Sequence, residues 1–328
     1  MKYDLVSIGN APVDAIVKVD TSFLEKFGME EGALTVINAE TRDEMLEALK
    51  DQKIDFISGG GSANVVSVLC SAGGKGAFQG RVGDDDNGEL FIQSLKDQFV
   101  ETSSVYKDPD HGTALIIIPI TSDGERSFAA YYGAAGRLGP DNIDPLQIKQ
   151  SKGLYIEGFG LISPYAFDAY KKAIEAVRIG GGKVFFGVSD RTVIDGYKDE
   201  VAYLMNAADM LFMNRVEAET LTGEKDMDDI LKAMLARGLS AVITRGEDGV
   251  YVLNGDEGSA TFYNVEKRLE GDQVVNMNGA GDAFTGGFLY GMLNGFPMQK
   301  AARLGARCAR QIIQTPGPRP LKRMVGLV

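Results

Sequence analysis

The 328-residue chain has no tryptophan, one histidine and two cysteines. Cys70 and Cys308 lie far apart, which excludes a disulfide scaffold and a cysteine-based zinc site and suits a reducing compartment. His111 alone cannot build a multi-histidine metal centre, and any Ser-His-Asp triad would have to use it. Basic runs are missing and the formal charge is −12, a poor match for nucleic acid or an anionic membrane. A small anionic ligand stays open, because local dipoles can override the net field. The longest apolar run, near Ala114–Pro119, is far too short to span a bilayer. Met1–Gly9 carries one basic residue and no small-residue cleavage site, so it does not read as a signal peptide and the cytoplasm is the expected location. No Pro- or Ser-rich linker, low-complexity segment or internal repeat divides the chain.

Glycine, by contrast, is abundant at 41 residues, many of them at the ends of apolar runs where backbone must turn or approach a ligand. Strand-like runs are Leu5–Ile8, Ala77–Gln79, Ala114–Ile120, Leu154–Ile156, Val184–Val188, Met210–Met213, Ala241–Thr244 and Val250–Leu253. Helical patterns fall between or after them at Tyr165–Ile179, Met227–Leu235, Gly279–Leu293 and Met298–Ile313. This alternation predicts an α/β fold of three layers, a mostly parallel sheet with helices on both faces and ligands at the carboxyl ends of its strands. One stretch breaks the rhythm. Thr113–Ile120, a turn at Thr121–Gly124 and Glu125–Tyr132 read as a β-hairpin, with Ala15–Val19 and Ala33–Ile37 as pairing partners. The expected organisation is a single domain, 1–328, with segments at about 14–38 and 110–134 forming a small β-sheet lid.

The densest motif is Asn276-Met277-Asn278-Gly279-Ala280-Gly281-Asp282, after the short apolar run Val274–Val275 and before an apolar helical stretch. Gly279, Ala280 and Gly281 should form a helix's first turn, where free N–H groups and the dipole favour an anion. Asp282 would sit beside that anion, placed to accept a proton from an attacking hydroxyl. The same string could also be a tightly packed helix start with an acidic dipole partner. Ser58–Asn64, with Gly59, Gly60 and Gly61, is a second close-approach loop before a helix; Asn64 offers donor and acceptor to a polyol. Gly9-Asn10-Ala11-Pro12-Val13-Asp14 ends the first strand; Asp14 is either a turn residue or a partner for vicinal hydroxyls. Asn214-Arg215-Val216-Glu217 fits a helix N-cap with a Glu at the third position, a capping-box variant. Thr244-Arg245-Gly246-Glu247-Asp248-Gly249 joins two strand-like runs and by itself reads as a plain turn. In Gly80–Gly88, Asp84 and Asp86 read as solvated and Asp85 as structural.

In order and spacing, from about Leu5 to about Gly317, these motifs resemble the ribokinase/PfkB carbohydrate kinase family, and the Gly9-Asn10 variant resembles its adenosine kinase-like branch. The resemblance implies a ribokinase-like fold and ATP-dependent phosphorylation of an alcohol. It implies Asp282 as catalytic base and Gly279, Ala280 and Gly281 as anion hole. It places Asn10, Asp14, Gly60, Gly61 and Asn64 on the acceptor, Asn214, Thr244, Gly246, Gly249 and Asn278 on the nucleotide, and Glu217 on Mg²⁺. A helix face with Ala306, Cys308 and Ala309 would lie near the adenine. Two departures stand in the main motif: Asn276 where the family has Asp, and Met277 where it has Thr, so activation by K⁺ is not implied.

Substrate is read from the middle of the chain. Thr113-Ala114, Gly124-Glu125-Arg126, Gly133-Ala134, Tyr155-Ile156-Glu157-Gly158 and Val188-Ser189-Asp190 resemble bacterial adenosine kinase-like members, and Gly187–Arg191 lacks the Asp and Asn that many sugar kinases carry. The expected acceptor is the 5′-hydroxyl of adenosine, with Phe128, Tyr131 and Tyr132 available to stack on a purine or simply to pack. A kinase for ribose, fructose or a related sugar is the alternative. A non-catalytic nucleoside- or nucleotide-binding regulator is a third reading, opposed by the intact Asp282. His111 is expected at the surface, and the chain as a monomer or homodimer.

Overall fold

In the computed structural model, residues 1–264, 269 and 273–328 are described. Nine strands form the large sheet, in the order β14 (Ser259–Asn264), β13 (Gly249–Asn254), β12 (Ala241–Thr244), β11 (Met210–Asn214), β10 (Lys183–Gly187), β9 (Ser151–Glu157), β1 (Tyr3–Ile8), β5 (Gly76–Gly83) and β6 (Val105–Asp108). All neighbours from β12 through β6 run parallel, and the β12–β13–β14 edge is antiparallel. The expected strands are all present, most of them a residue or more longer than their apolar cores.

Each central strand is apolar on both faces with a period of two, as a doubly covered sheet requires. Leu5, Tyr155, Phe185, Phe212 and Val242 point to one side, packed on α3 (Gly61–Ser71), α4 (Asp86–Asp97) and α11 (Ala280–Leu293). α12 (Met298–Ile312) lies against α11. Val6, Ile8, Leu154, Ile156, Val184, Phe186, Leu211 and Ile243 point to the other, where α5 (Pro145–Lys149), α6 (Ala166–Ile179), α7 (Arg191–Gly196), α8 (Lys198–Ala207), α9 (Arg215–Thr222) and α10 (Met227–Ala236) close the core. This is the three-layer α/β arrangement expected.

A second sheet of five strands has the order β3 (Leu34–Val36), β8 (Phe128–Tyr131), β7 (Leu115–Ile120), β2 (Val13–Lys18) and β4 (Asp55–Ser58). The hairpin β7–β8 is antiparallel, while β2 and β3 add to it in parallel. β4, antiparallel to β2, lies outside the two expected lid segments; Lys53–Ser58 is too mixed in polarity to stand out as a strand. One face of this sheet, with Val13, Ala15, Val17, Leu115, Ile117, Ala129 and Tyr131, joins the core beneath Leu24 of α1 (Thr21–Lys26) and Met45 of α2 (Ala39–Ala48). The opposite face carries Asp14, Ile16, Ile116, Phe128 and, near the edge, Leu34 and Val36, 59% and 63% exposed. Among the described residues no helix is long and apolar enough to cross a membrane.

Candidate active site

The chain leaves β1 in two directions, to β5 and β6 on one side and to β9 through β12 on the other. Such a switch of direction opens a crevice at the carboxyl ends of the flanking strands. In register, Gly187 pairs with both Glu157 and Phe212, and Asn214 pairs with Thr244, so the ends of four strands form one rim. A cavity of about 290 Å³ lies along it, lined by Gly61, Tyr155, Glu157, Ser189, Asn214, Glu217, Thr244, Gly281 and Asp282 among others.

Asp282 enters from α11. The residue before that helix, Gly279, has φ +77°, a left-handed conformation that ends the preceding turn, and a side chain there would meet Pro318 at 2.6 Å. The helix therefore starts at Ala280, and Asp282 sits in its first turn. Gly281 is exposed with open space where a Cβ would stand, so its amide is approachable. Asn64 of α3, buried, donates its side-chain N–H to Asp282 Oδ2 at 2.9 Å. Burial raises the Asp282 carboxyl above its ordinary value, while Asn64 and the Arg319 guanidinium oppose the rise.

The loop Gly59–Gly61 passes beneath this pair. Gly60 has φ +91°, and any Cβ would lie 2.7 Å from the Asn10 carbonyl; one on Gly61 would lie 2.5 Å from Glu157 Oε2 and 3.2 Å from Asp282 Oδ1. The helix cap here is Gly60, not a serine. Ser62 instead donates its backbone N–H to Glu157 Oε2 at 2.7 Å and its hydroxyl to Oε1 at 3.3 Å. Asp14, on β2, stands over the loop with Oδ1 3.3 Å from the Cβ position of Gly59. Burial pushes Asp14 up to about 6, against the pull of Arg319. Asn10 donates its side-chain N–H to the Phe159 carbonyl at 3.0 Å.

Sequence reasoning missed Glu157 as a site residue. It ends β9, is buried, and is pushed up to about 8, first by burial and then by the nearby Asp282 charge. An acidic residue closing the apolar run Leu154–Ile156 at a strand's carboxyl end was the available signal. Arg319, also missed, comes from a tail of turns without periodicity, which offered no signal.

At the other end, Asn214 and Glu217 form the capping box of α9. Glu217 N–H donates to Asn214 Oδ1 at 2.9 Å, and Asn214 N–H returns a bond to Glu217 Oε2 at 2.9 Å. Burial pushes the Glu217 carboxyl up to about 7 with Asp190 and Asp282 adding to the rise. Thr244 reaches the cavity; Gly246 (φ +56°) and Gly249 (φ +137°) make the β12–β13 turn outside it. Asn278 is exposed, and its N–H donates to Asn276 Oδ1 at 3.0 Å. The Asn276 amide donates in turn to the Pro316 carbonyl at 2.9 Å, so this departure from the family pattern serves the local fold. Ser189, on the rim, has φ +82°, a strained value for a residue with a side chain.

Several expectations need correction. Tyr131 does not face the site: its ring packs on the covered side of the small sheet, with the Arg42 guanidinium 4.4 Å from its centroid. Alternation leaves Phe128 and Tyr132 on the open side. Cys308 is fully buried, 2.8 Å from the Cβ position of Gly287, so it packs α12 on α11 rather than lining the cavity. His111 is partly buried, with Nδ1 3.1 Å from Asp108 Oδ2. Asp84 and Asp86, by contrast, are exposed as expected, and Asp85 has its expected structural role: it caps α4 and accepts from the N–H and hydroxyl of Thr113.

Comparison with known proteins agrees with this geometry. The aminoimidazole riboside kinase of Salmonella typhimurium is 31% identical over 239 residues, covering 71% of this chain and 72% of that one. The structure of adenosine kinase from Sinorhizobium meliloti superposes with a TM-score of 0.87 at 35% identity, covering 99% of this chain and 98% of that one. A probable sugar kinase from Rhizobium etli CFN 42 gives the same TM-score at 30% identity, covering 100% and 99%. The sequence pattern of the pfkB family carbohydrate kinases matches residues 33–323. With a carboxylate in the first turn of a helix, a glycine-lined cavity at a sheet switch point and that match over most of its length, the chain belongs to the pfkB family of carbohydrate kinases and is a phosphotransferase.

Proposed function

We propose that this kinase transfers the γ-phosphoryl group of ATP to the 5′-hydroxyl of adenosine. The observation that carries the acceptor is the open face of the small sheet. Asp14 shares a cross-strand row with Ile116 and Ala130, and Ile16 and Phe128 lie two residues further along on the same side. A hydroxyl-binding carboxylate beside an apolar wall suits a ribose joined to a flat base. The 35% identity to an adenosine kinase over nearly the whole chain supports the same reading.

In this reading Asp14 and Asn64 hold the ribose, and the helix start at Gly279–Gly281, where Gly281 is exposed, receives the transferring phosphoryl group at the N-terminus of α11. Asp282 accepts the hydroxyl proton as the bond to phosphorus forms. Its carboxyl has the right environment: buried enough to be basic, yet kept ionisable by Asn64 and Arg319. Asn214, Thr244, Gly246, Gly249 and Asn278 border the nucleotide side. Glu217 fits a magnesium site, since its two bonds from Asn214 leave lone pairs toward the cavity that Glu217 itself lines. Magnesium bound there would neutralise phosphate charge. The small sheet acts as a lid that excludes water from the acceptor.

ADP release should be measured with ATP and Mg²⁺ against adenosine, aminoimidazole riboside, inosine, guanosine, ribose and fructose, with and without K⁺. Highest kcat/KM on adenosine is expected. Preference for a free sugar would retain Asp282 as base and overturn the acceptor; the likeness to a probable sugar kinase makes that the second reading.

A further inference from the structure

Arg319 is the one arginine among the described residues that is buried, 7% exposed, and it lies behind the base rather than in the cavity lining. Its guanidinium makes three hydrogen bonds: Nε to Asn64 Oδ1 at 3.2 Å, Nη1 to Ser94 Oγ at 2.7 Å and Nη2 to the Gly59 carbonyl at 2.7 Å. The Phe91 ring stacks 4.8 Å away and closes the other side. The bond to Oδ1 leaves Asn64 only its N–H₂ to offer Asp282, which fixes the amide's orientation. The bond to Gly59 grips the loop beneath Asp14.

We propose that Arg319 is a positioning residue for phosphoryl transfer: through Asn64 it aims the donor that holds Asp282, and it supplies the buried positive charge that balances Asp282 and Asp14. A purely structural staple is a weaker account, because the tail is anchored independently. Gln98 donates to the Pro320 carbonyl at 2.9 Å, and Met324 N–H donates to the Ser71 carbonyl at 2.9 Å. The charges around Asp282 also leave Arg319 a distinct task. Glu157 and Tyr155 face Asp282 from β9 and Glu217 from α9, and Asp14 faces Arg319 from β2. Every ionisable group in that set except Arg319 is acidic, so removing the guanidinium leaves the acids to repel one another. The buried cation is itself held down to about 9 by desolvation, which only such neighbours would justify.

The turnover arm of the test rests on the phosphotransfer reading above, and the spectroscopic arm does not. Arg319→Gln should lower kcat by about 10–100-fold. The acid limb of its kcat profile should move up by about one pH unit or more, because a base with a higher pKa stays protonated to higher pH. Arg319→Lys keeps a charge without the three-way grip. Its acid limb should stay near that of wild type while kcat still falls several-fold. Carboxyl ¹³C NMR titration, assigned with Asp282→Asn and Asp14→Asn, should show both aspartates titrating higher in Arg319→Gln even if no acceptor on the panel turns over. A lower Tm with unchanged acid limb and unchanged aspartate titrations would overturn the proposal. If Arg319→Gln does not fold, wild-type kcat in Arg319→Lys would overturn it equally.

Discussion

On one side of Asp282 stand buried side chains: Glu157 in the cavity wall and, behind it, Asn64, Ser62 and Arg319. On the other side the wall is made of exposed helix termini, Gly281 and Asn214, with the turn at Gly246 just outside it. Burial displaces Glu157 and Asp14 upward on the first side, and it displaces Glu217 beside Asn214 on the second. The second leaves amides open to a charged ligand that brings its own water and counterions. A hydroxyl must be deprotonated in a dry place, whereas a triphosphate is held by dipoles at the surface. On the proposed function the acceptor end is therefore the rigid half and the donor end the accessible half.

Removing the proposed base should have the largest effect. Asp282→Asn keeps size and hydrogen bonding but cannot take the proton, so kcat should fall about a thousandfold with acceptor KM within a few-fold of wild type. Steady-state kinetics check this, and a raised KM at unchanged kcat would remove Asp282 from the chemistry.

Two glycine variants then break the comparison at its centre. In Gly61→Ala the new methyl meets Glu157 Oε2 at 2.5 Å. This should cost about 1–3 kcal/mol of stability and about 10–100-fold in kcat, read by thermal melts and kinetics. In Gly281→Ala nothing lies within 4 Å of the methyl, so Tm should hold while KM for ATP rises about tenfold. Equal behaviour of the two would erase the distinction between rigid and accessible halves.

The small sheet offers a subtler contrast. Phe128→Ala, on the open face, should raise the nucleoside KM several-fold with little change in Tm. Tyr131→Ala, on the covered face, should instead destabilise the protein by about 3 kcal/mol and leave the KM of the folded fraction alone.

Smallest in kinetics, but sharpest in sign, is Glu157→Gln. Burial holds the native carboxyl at about 8 against an ordinary 4.5. Below 4.5 the acid is protonated folded or unfolded and costs nothing. As pH rises toward 8 the unfolded chain ionises while the folded one does not, so stability is lost. The Tm advantage of Glu157→Gln over wild type should thus grow between pH 5 and pH 8, and a flat difference would mean that the native carboxyl ionises normally.

Much of this site was legible because its parts are local. Gly279–Asp282 is a helix start set by four consecutive residues, and the Asn214–Glu217 box closes within one turn. The alternation of apolar runs gave the three-layer fold for the same reason: periods of 2 and 3.6 are set by backbone geometry and survive without tertiary context. Where the sequence was silent, the deciding contacts span long separations. Glu157 is an ordinary strand-ending acid until Ser62, 95 residues earlier, donates to it. Arg319 is an unremarkable tail residue until it meets Asn64 across 255 positions. Which face of β8 receives Tyr131 was equally undecided until α2 covered one side. The order of residues thus determined the elements and the helix start that carries Asp282. Tertiary packing alone decided which acids are buried together and which cation balances them, because burial and charge pairing are properties of a place in space that no local stretch of chain encodes.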